Sequence, residues 1–107
     1  MAKSLEALGE QYFFLKLNLE EMLSKCESDS EREELNIRFA ASRRSFNKAL
    51  NAVFIENSAA VKELREGLEA NTKEIKEAFE RRKKIAKILE LITTGVDIGK
   101  SLVKLGE

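Results

Sequence analysis

Proline, histidine and tryptophan are absent from this sequence, cysteine occurs once, and glycine occurs only five times in 107 residues. Without proline and with so little glycine, the chain is poor in the residues that make tight turns or stop a helix. Leu, Glu, Lys, Ala, Ile and Arg dominate instead, all of them well suited to helix, so the expected fold class is all-α. The lack of histidine removes imidazole general bases, the usual zinc ligand sets and the Glu-x-x-His pattern of di-iron bundles. The single Cys26 cannot form an internal disulfide, and the opening MAKSLEALGEQ has neither the basic leader nor the apolar run of a signal peptide. Both features point to a reducing, cytoplasmic location. Nineteen basic and nineteen acidic side chains cancel to a formal charge of zero, so any partner preference must come from local patches. Apolar runs such as YFFL and AVFI fall far short of the roughly 20 residues that a membrane-spanning helix needs.

What is present is periodicity. From Leu5 the apolar residues recur as Leu5, Leu8, Tyr12, Leu15, Leu19, Met22 and Cys26, alternating spacings of three and four. This seam predicts a first helix over about 4–25. Phe13, Leu17 and Leu23 lie beside the seam and widen the apolar face, as a bundle interior requires. The stretch CESDSEREE then breaks the pattern. Ser28 and Ser30 are each followed three residues later by a glutamate, Glu31 and Glu33, which is the signature of a capped helix start. The acidic first turn also complements the positive end of the helix dipole, so this local charge needs no bound cation to explain it. A second helix over about 30–55 carries Leu35, Phe39, Ser42, Phe46, Ala49 and Val53, with Leu50 and Phe54 widening its end. The segment ENSAA supplies the next punctuation, with Asn57 suited to end one helix and Ser58 to cap another. The spacing from Val53 to Leu64 also admits a stutter in a continuous rod, so the separation at Asn57 stays open.

The third segment is the most regular. Val61, Leu64, Leu68, Asn71, Ile75, Ala78, Arg82, Ile85, Leu89, Ile92, Val96, Gly99 and Val103 keep the three-four alternation nearly to the end of the chain. No Gly, Pro, Asn or Ser occurs between Thr72 and Ile92, and Glu69 with Lys73, Glu77 with Arg81 and Glu80 with Lys84 are spaced to support one helix. The expectation is a single third helix over about 58–104, with a break near 94–95 as its weakest point. At 1.5 Å per residue it would be about 65 to 70 Å long, twice either of the others. The predicted architecture is a helical hairpin packed on the first half of this helix, a three-helix or coiled-coil-like bundle in a single domain, with the second half left bare. Folding back at TTG or at RRKK into a four-helix bundle is the alternative, but a break at Gly95 would leave only about ten residues to return, too few for a fourth full-length helix, and ERRKKIAK contains no turn former.

A bare apolar seam marks an association surface. Ile85, Leu89, Ile92, Val96, Gly99 and Val103 are therefore the candidate contact residues, and Asn71, a polar residue on the seam, is the candidate register residue. Arg81, Arg82, Lys83, Lys84 and Lys87 form the strongest basic cluster. Interleaved glutamates and the lack of a docking motif disfavour nucleic acid. Gly95 and Gly99, four apart, permit close helix approach, although that spacing is most informative within a membrane. Carboxylates such as Glu20 and Glu21 are adjacent in sequence and diverge on a helix, so no catalytic, cofactor or metal site is expected.

The leading functional expectation is a small helical protein–protein interaction or assembly module, most simply a homodimer, and not an enzyme. The second is a protein that binds an anionic membrane surface through its C-terminal segment, where seven basic and three acidic residues from Arg81 to Glu107 surround an apolar stripe. An inhibitor or immunity-type partner of another protein is the third.

Overall fold

The computed structural model describes residues 2–107 and is all-helical, with four helices rather than three. They are α1 Lys3–Lys25, α2 Asp29–Ala49, α3 Ala59–Glu80 and α4 Ile85–Gly106. Two of the expected caps form. The Ser28 hydroxyl accepts the Glu31 N–H at 3.1 Å, and the Ser58 hydroxyl accepts the Val61 N–H at 3.2 Å. Helix α2 stops at Ala49, several residues short of expectation, and Val53 therefore leaves the seam for solvent.

The long third helix is corrected to a hairpin. The chain turns at RRKK, while the anticipated weak point at Thr94 and Gly95 lies inside unbroken α4. The molecule is 41 Å in its longest dimension, far less than the rod would require. Backbone groups close the turn. The Lys83 N–H donates to the Ala78 carbonyl at 3.0 Å and the Arg82 N–H to the Phe79 carbonyl at 3.1 Å. These are the two bonds of a Schellman motif, which satisfies the last carbonyls of a helix by placing one residue in the left-handed region. Glycine usually takes that position. Here it is Arg82, with φ of 53°, and among the described residues no other non-glycine has a positive φ. A side chain held there costs about 1–2 kcal/mol. The turn is thus built by the main chain against local preference, because the apolar face of α4 gains far more by folding onto the other three helices.

Helix α1 packs on α2 and α3, and α4 packs on α2 and α3, while α2 and α3 stand diagonally apart. Neighbours α1 and α3 are parallel, as are α2 and α4. The connection from α2 to α3 must therefore cross one end of the bundle, which is why residues 50–58 form the longest loop. The Val53 N–H donates to the Gly106 carbonyl at 3.0 Å, tying this crossing to the end of α4.

The interior falls into two apolar clusters. One holds Leu15, Met22, Leu35, Ile75, Ile88, Leu89, Ile92 and Val96, and the other Ala7, Leu8, Ala49, Val61, Leu68, Leu102 and Val103. Each helix contributes to both, and a polar layer on α1, α3 and α4 lies between them. Four of the seven aromatic rings line the contact of α1 with α2: Tyr12 stacks at 5.6 Å on Phe39 and 5.5 Å on Phe46, and Phe13 meets the edge of Phe46 at 5.2 Å.

Candidate functional site

The residues assigned to association by sequence do not form an outer surface. Ile85, Leu89, Ile92, Val96, Gly99 and Val103 are all buried within the chain's own bundle. The physical reason is the hairpin: with α4 folded back, the seam that a second copy was expected to cover is covered by α1, α2 and α3. The same fold removes the apolar stripe of α4 from any lipid surface. Among the described residues, no helix is long and apolar enough to cross a membrane.

Asn71 is buried, and its partners lie in its own chain. Its Oδ1 accepts from Gln11 Nε2 at 2.9 Å, and its Nδ2 donates to the Leu91 carbonyl at 2.9 Å. Gln11 Nε2 also donates to Thr72 Oγ1 at 3.0 Å. Gln11, Asn71 and Thr72 thus form a polar layer joining α1, α3 and α4, set between the two apolar clusters. Buried amides need such partners, and a layer with matching donors and acceptors admits only one alignment of its helices. Gly95 makes room for it. A Cβ on that residue would stand 2.2 Å from Asn71 Oδ1 and 2.6 Å from Gln11 Nε2. Gly99 is less constrained, its nearest neighbour being a Leu8 methyl at 3.2 Å.

Arg81, Arg82, Lys83, Lys84 and Lys87 are all exposed and sit at and just beyond the α3–α4 turn. Arg81, Lys83 and Lys87 line an open cleft of about 380 Å³ that Glu74 and Glu77 share, so carboxylates interrupt the basic patch. At the same end, the Lys25 ammonium lies 4.7 Å from the Phe79 ring centroid. Cys26 is buried and donates weakly to the Met22 carbonyl at 3.5 Å. Burial and the Glu31 charge push its thiol pKa up against the pull of Arg32, which disfavours the reactive thiolate.

A second polar cluster, unread in the sequence, closes the opposite end. The Glu56 carboxylate, from the crossing loop, accepts the Ser4 N–H at 3.0 Å and the Ser4 hydroxyl at 2.6 Å. Arg65 donates to the Glu56 carboxylate and to its carbonyl, each at 3.1 Å. Since Ala2 offers no side-chain cap, Glu56 serves the Ser4 N–H and the positive end of α1 from a distant part of the chain. Burial alone would raise this carboxyl, but the bonds from Ser4 and Arg65 outweigh it and hold the pKa below the ordinary 4.5. A depressed carboxylate contributes stability that is complete above the unfolded value and lost as pH falls through the folded one. Wild type should therefore lose thermal stability as pH drops below 4.5. Glu56→Gln should be less stable by about 1–3 kcal/mol at neutral pH, where Arg65 lacks its charge partner. The gap should close on acidification, as thermal melts across pH would show; parallel curves would contradict the assignment.

Among the described residues, no three His, Cys, Asp or Glu side chains converge as metal ligands would. The exposed apolar side chains lie elsewhere than expected. Leu17 is 84% exposed and Phe13 52% exposed, one turn apart on α1, and with Lys16 they line a shallow depression. Leu50, the residue just past the end of α2 and one turn beyond Phe46, is also exposed. Phe13 and Leu17 were expected to widen the buried face, but α1 has only two close neighbours, and the third side of a wide face is left to water. The signal was the width itself, which exceeds what two neighbouring helices cover. The chain matches no family model, and no curated protein or solved structure is found that resembles it.

Proposed function

We propose that this chain is a small helical protein–protein interaction module that self-associates, two folded copies meeting along the seam between α1 and α2. The observation that carries this reading is Leu17, 84% exposed on a well-packed helix with Phe13 beside it. Phe13 is held edge-on to Phe46, so the patch is preformed and little ordering accompanies contact. An apolar patch framed by charged side chains suits protein contact. A second copy is the simplest occupant, because an isologous contact lays the same patch against itself.

Light scattering across a concentration series tests this reading. Wild type should associate, and Leu17→Glu should be monomeric; at dilutions where wild type is also monomeric the two should melt at the same temperature, since so exposed a side chain contributes little to the fold of one copy. A wild-type chain that stays monomeric throughout, or a Leu17→Glu chain that associates as before, overturns it.

A further inference from the structure

We infer that the α3–α4 turn is a hinge through which two copies of this chain exchange α4, the turn straightening so that α3 and α4 become one helix in each copy. Three independent features of the turn support this. First, Arg82 occupies the left-handed position of the Schellman motif, where a side chain is disfavoured, and straightening returns it to helical φ. Second, the buried positions on either side are in helical phase through the turn: Ile75 and Ala78 before it and Ile85 and Leu89 after it keep spacings of three and four when the exposed Arg82 is counted as the intervening seam position. A continuous helix would carry the α4 face onward in line with that of α3. Third, Glu80 and Lys84, on opposite sides of the turn, make no ion pair in the hairpin, and a continuous helix would bring them one turn apart.

The rest of the molecule makes the exchange cheap in contacts. Helix α4 follows α3 directly and is its antiparallel neighbour. Two straightened chains lying antiparallel would each place α4 in the cradle that the other's α1, α2 and α3 provide, and the core contacts of α4 would be re-formed between copies. No new complementarity is needed beyond the crossing point. That point brings two basic turns together, so the exchanged dimer should be favoured by raised salt, which screens their repulsion. The exchange does not depend on the α1–α2 seam, and it requires opening of the bundle, so it should be slow and should follow unfolding and refolding at high concentration.

The test uses the full chain with Leu17→Glu, so that seam contacts are removed, and with Cys26→Ser, Glu66→Cys and Ser101→Cys to carry two spin labels. Gly67 lies beside Ile98 in the hairpin, so positions 66 and 101 are close across it. In a continuous helix they would be about 50 Å apart. Labelled chain is refolded at high concentration with excess unlabelled chain, so that only the distance within one chain is read. The dimer fraction should show the long distance and the monomer fraction the short one. A dimer showing only the short distance, or no dimer after refolding, overturns the proposal. Arg82→Gly, which relieves the turn, should reduce the dimer fraction severalfold, and an unchanged fraction contradicts a hinge driven by the left-handed Arg82.

Discussion

Replacing Ile92 with glutamate is expected to abolish the cooperative fold at neutral pH. Ile92 is fully buried and belongs to the cluster that also holds Leu15, Met22, Leu35 and Ile75. A carboxylate there has no cation within its surroundings of apolar side chains, so it must be buried charged, be protonated at a cost, or force the helices apart. Each route takes several kcal/mol, against a total stability of about 5–15 kcal/mol for a domain of this kind. Losing the isoleucine packing adds about 2–5 kcal/mol more. The variant should show no cooperative thermal transition and reduced helical circular dichroism. The same substitution at an exposed apolar site, Leu17→Glu, should leave the melt of the dilute, monomeric chain untouched. A folded, helical, monomeric Ile92→Glu protein would instead mean that this face of α4 is peripheral, as a rod with a bare second half would have it.

That contrast separates what the apolar periodicity encodes from what it does not. The three-four alternation located the inward faces: Leu8, Tyr12, Leu15 and Met22 on α1, Cys26 just past its end, and Val61, Leu68, Ile75 and Ala78 on α3 are all buried. So are the α4 residues taken for an association surface. The periodicity was read correctly and its covering was not. Phase alone cannot separate a hairpin from a rod when the seam runs in register through the turn, as it does at Arg82. Turn chemistry usually makes the distinction, and here it is silent, because main-chain bonds to Ala78 and Phe79 close the turn with arginine in the position where glycine would announce it. Basic residues crowded at the end of α3 gave no warning either, since such residues are also at home within a helix.

The polar features were legible one by one, but not as sets. Asn71 stood out as a polar residue on an apolar seam. Its partner Gln11 did not, because it precedes the seam residue Tyr12 by one position on a helix already rich in polar groups. Glu56 lay within a stretch read only as punctuation. Its role depends on the crossing loop bringing it to Ser4, more than fifty residues away, which follows from α2 and α3 being diagonal. Nothing local encodes that topology.

Gly95→Ala is expected to destabilise the protein, against the usual benefit of alanine in a helix, which is about 1 kcal/mol. The added Cβ would lie 2.2 Å from Asn71 Oδ1 and 2.6 and 2.8 Å from the Gln11 amide. These neighbours are side-chain ends, but they cannot simply swing aside. Asn71 is fixed at both ends by Gln11 and the Leu91 carbonyl, and Gln11 is held by Asn71 and Thr72. Displacing them strands buried donors and acceptors, each costing about 1–3 kcal/mol. The net loss should be about 2 kcal/mol, lowering the melting temperature by roughly 10 °C. Gly67→Ala is the matched control. Its Cβ would meet only an Ile98 methyl at 4.0 Å, so propensity should prevail and the melting temperature should rise. The cause can be isolated by combining Gly95→Ala with Asn71→Ala. If the clash with Asn71 dominates, the double variant should lose less than the sum of the two single losses, because removing the amide frees the space that the new methyl occupies. Simple additivity, or a stabilising Gly95→Ala, would show that the polar layer yields more readily than its hydrogen bonds imply.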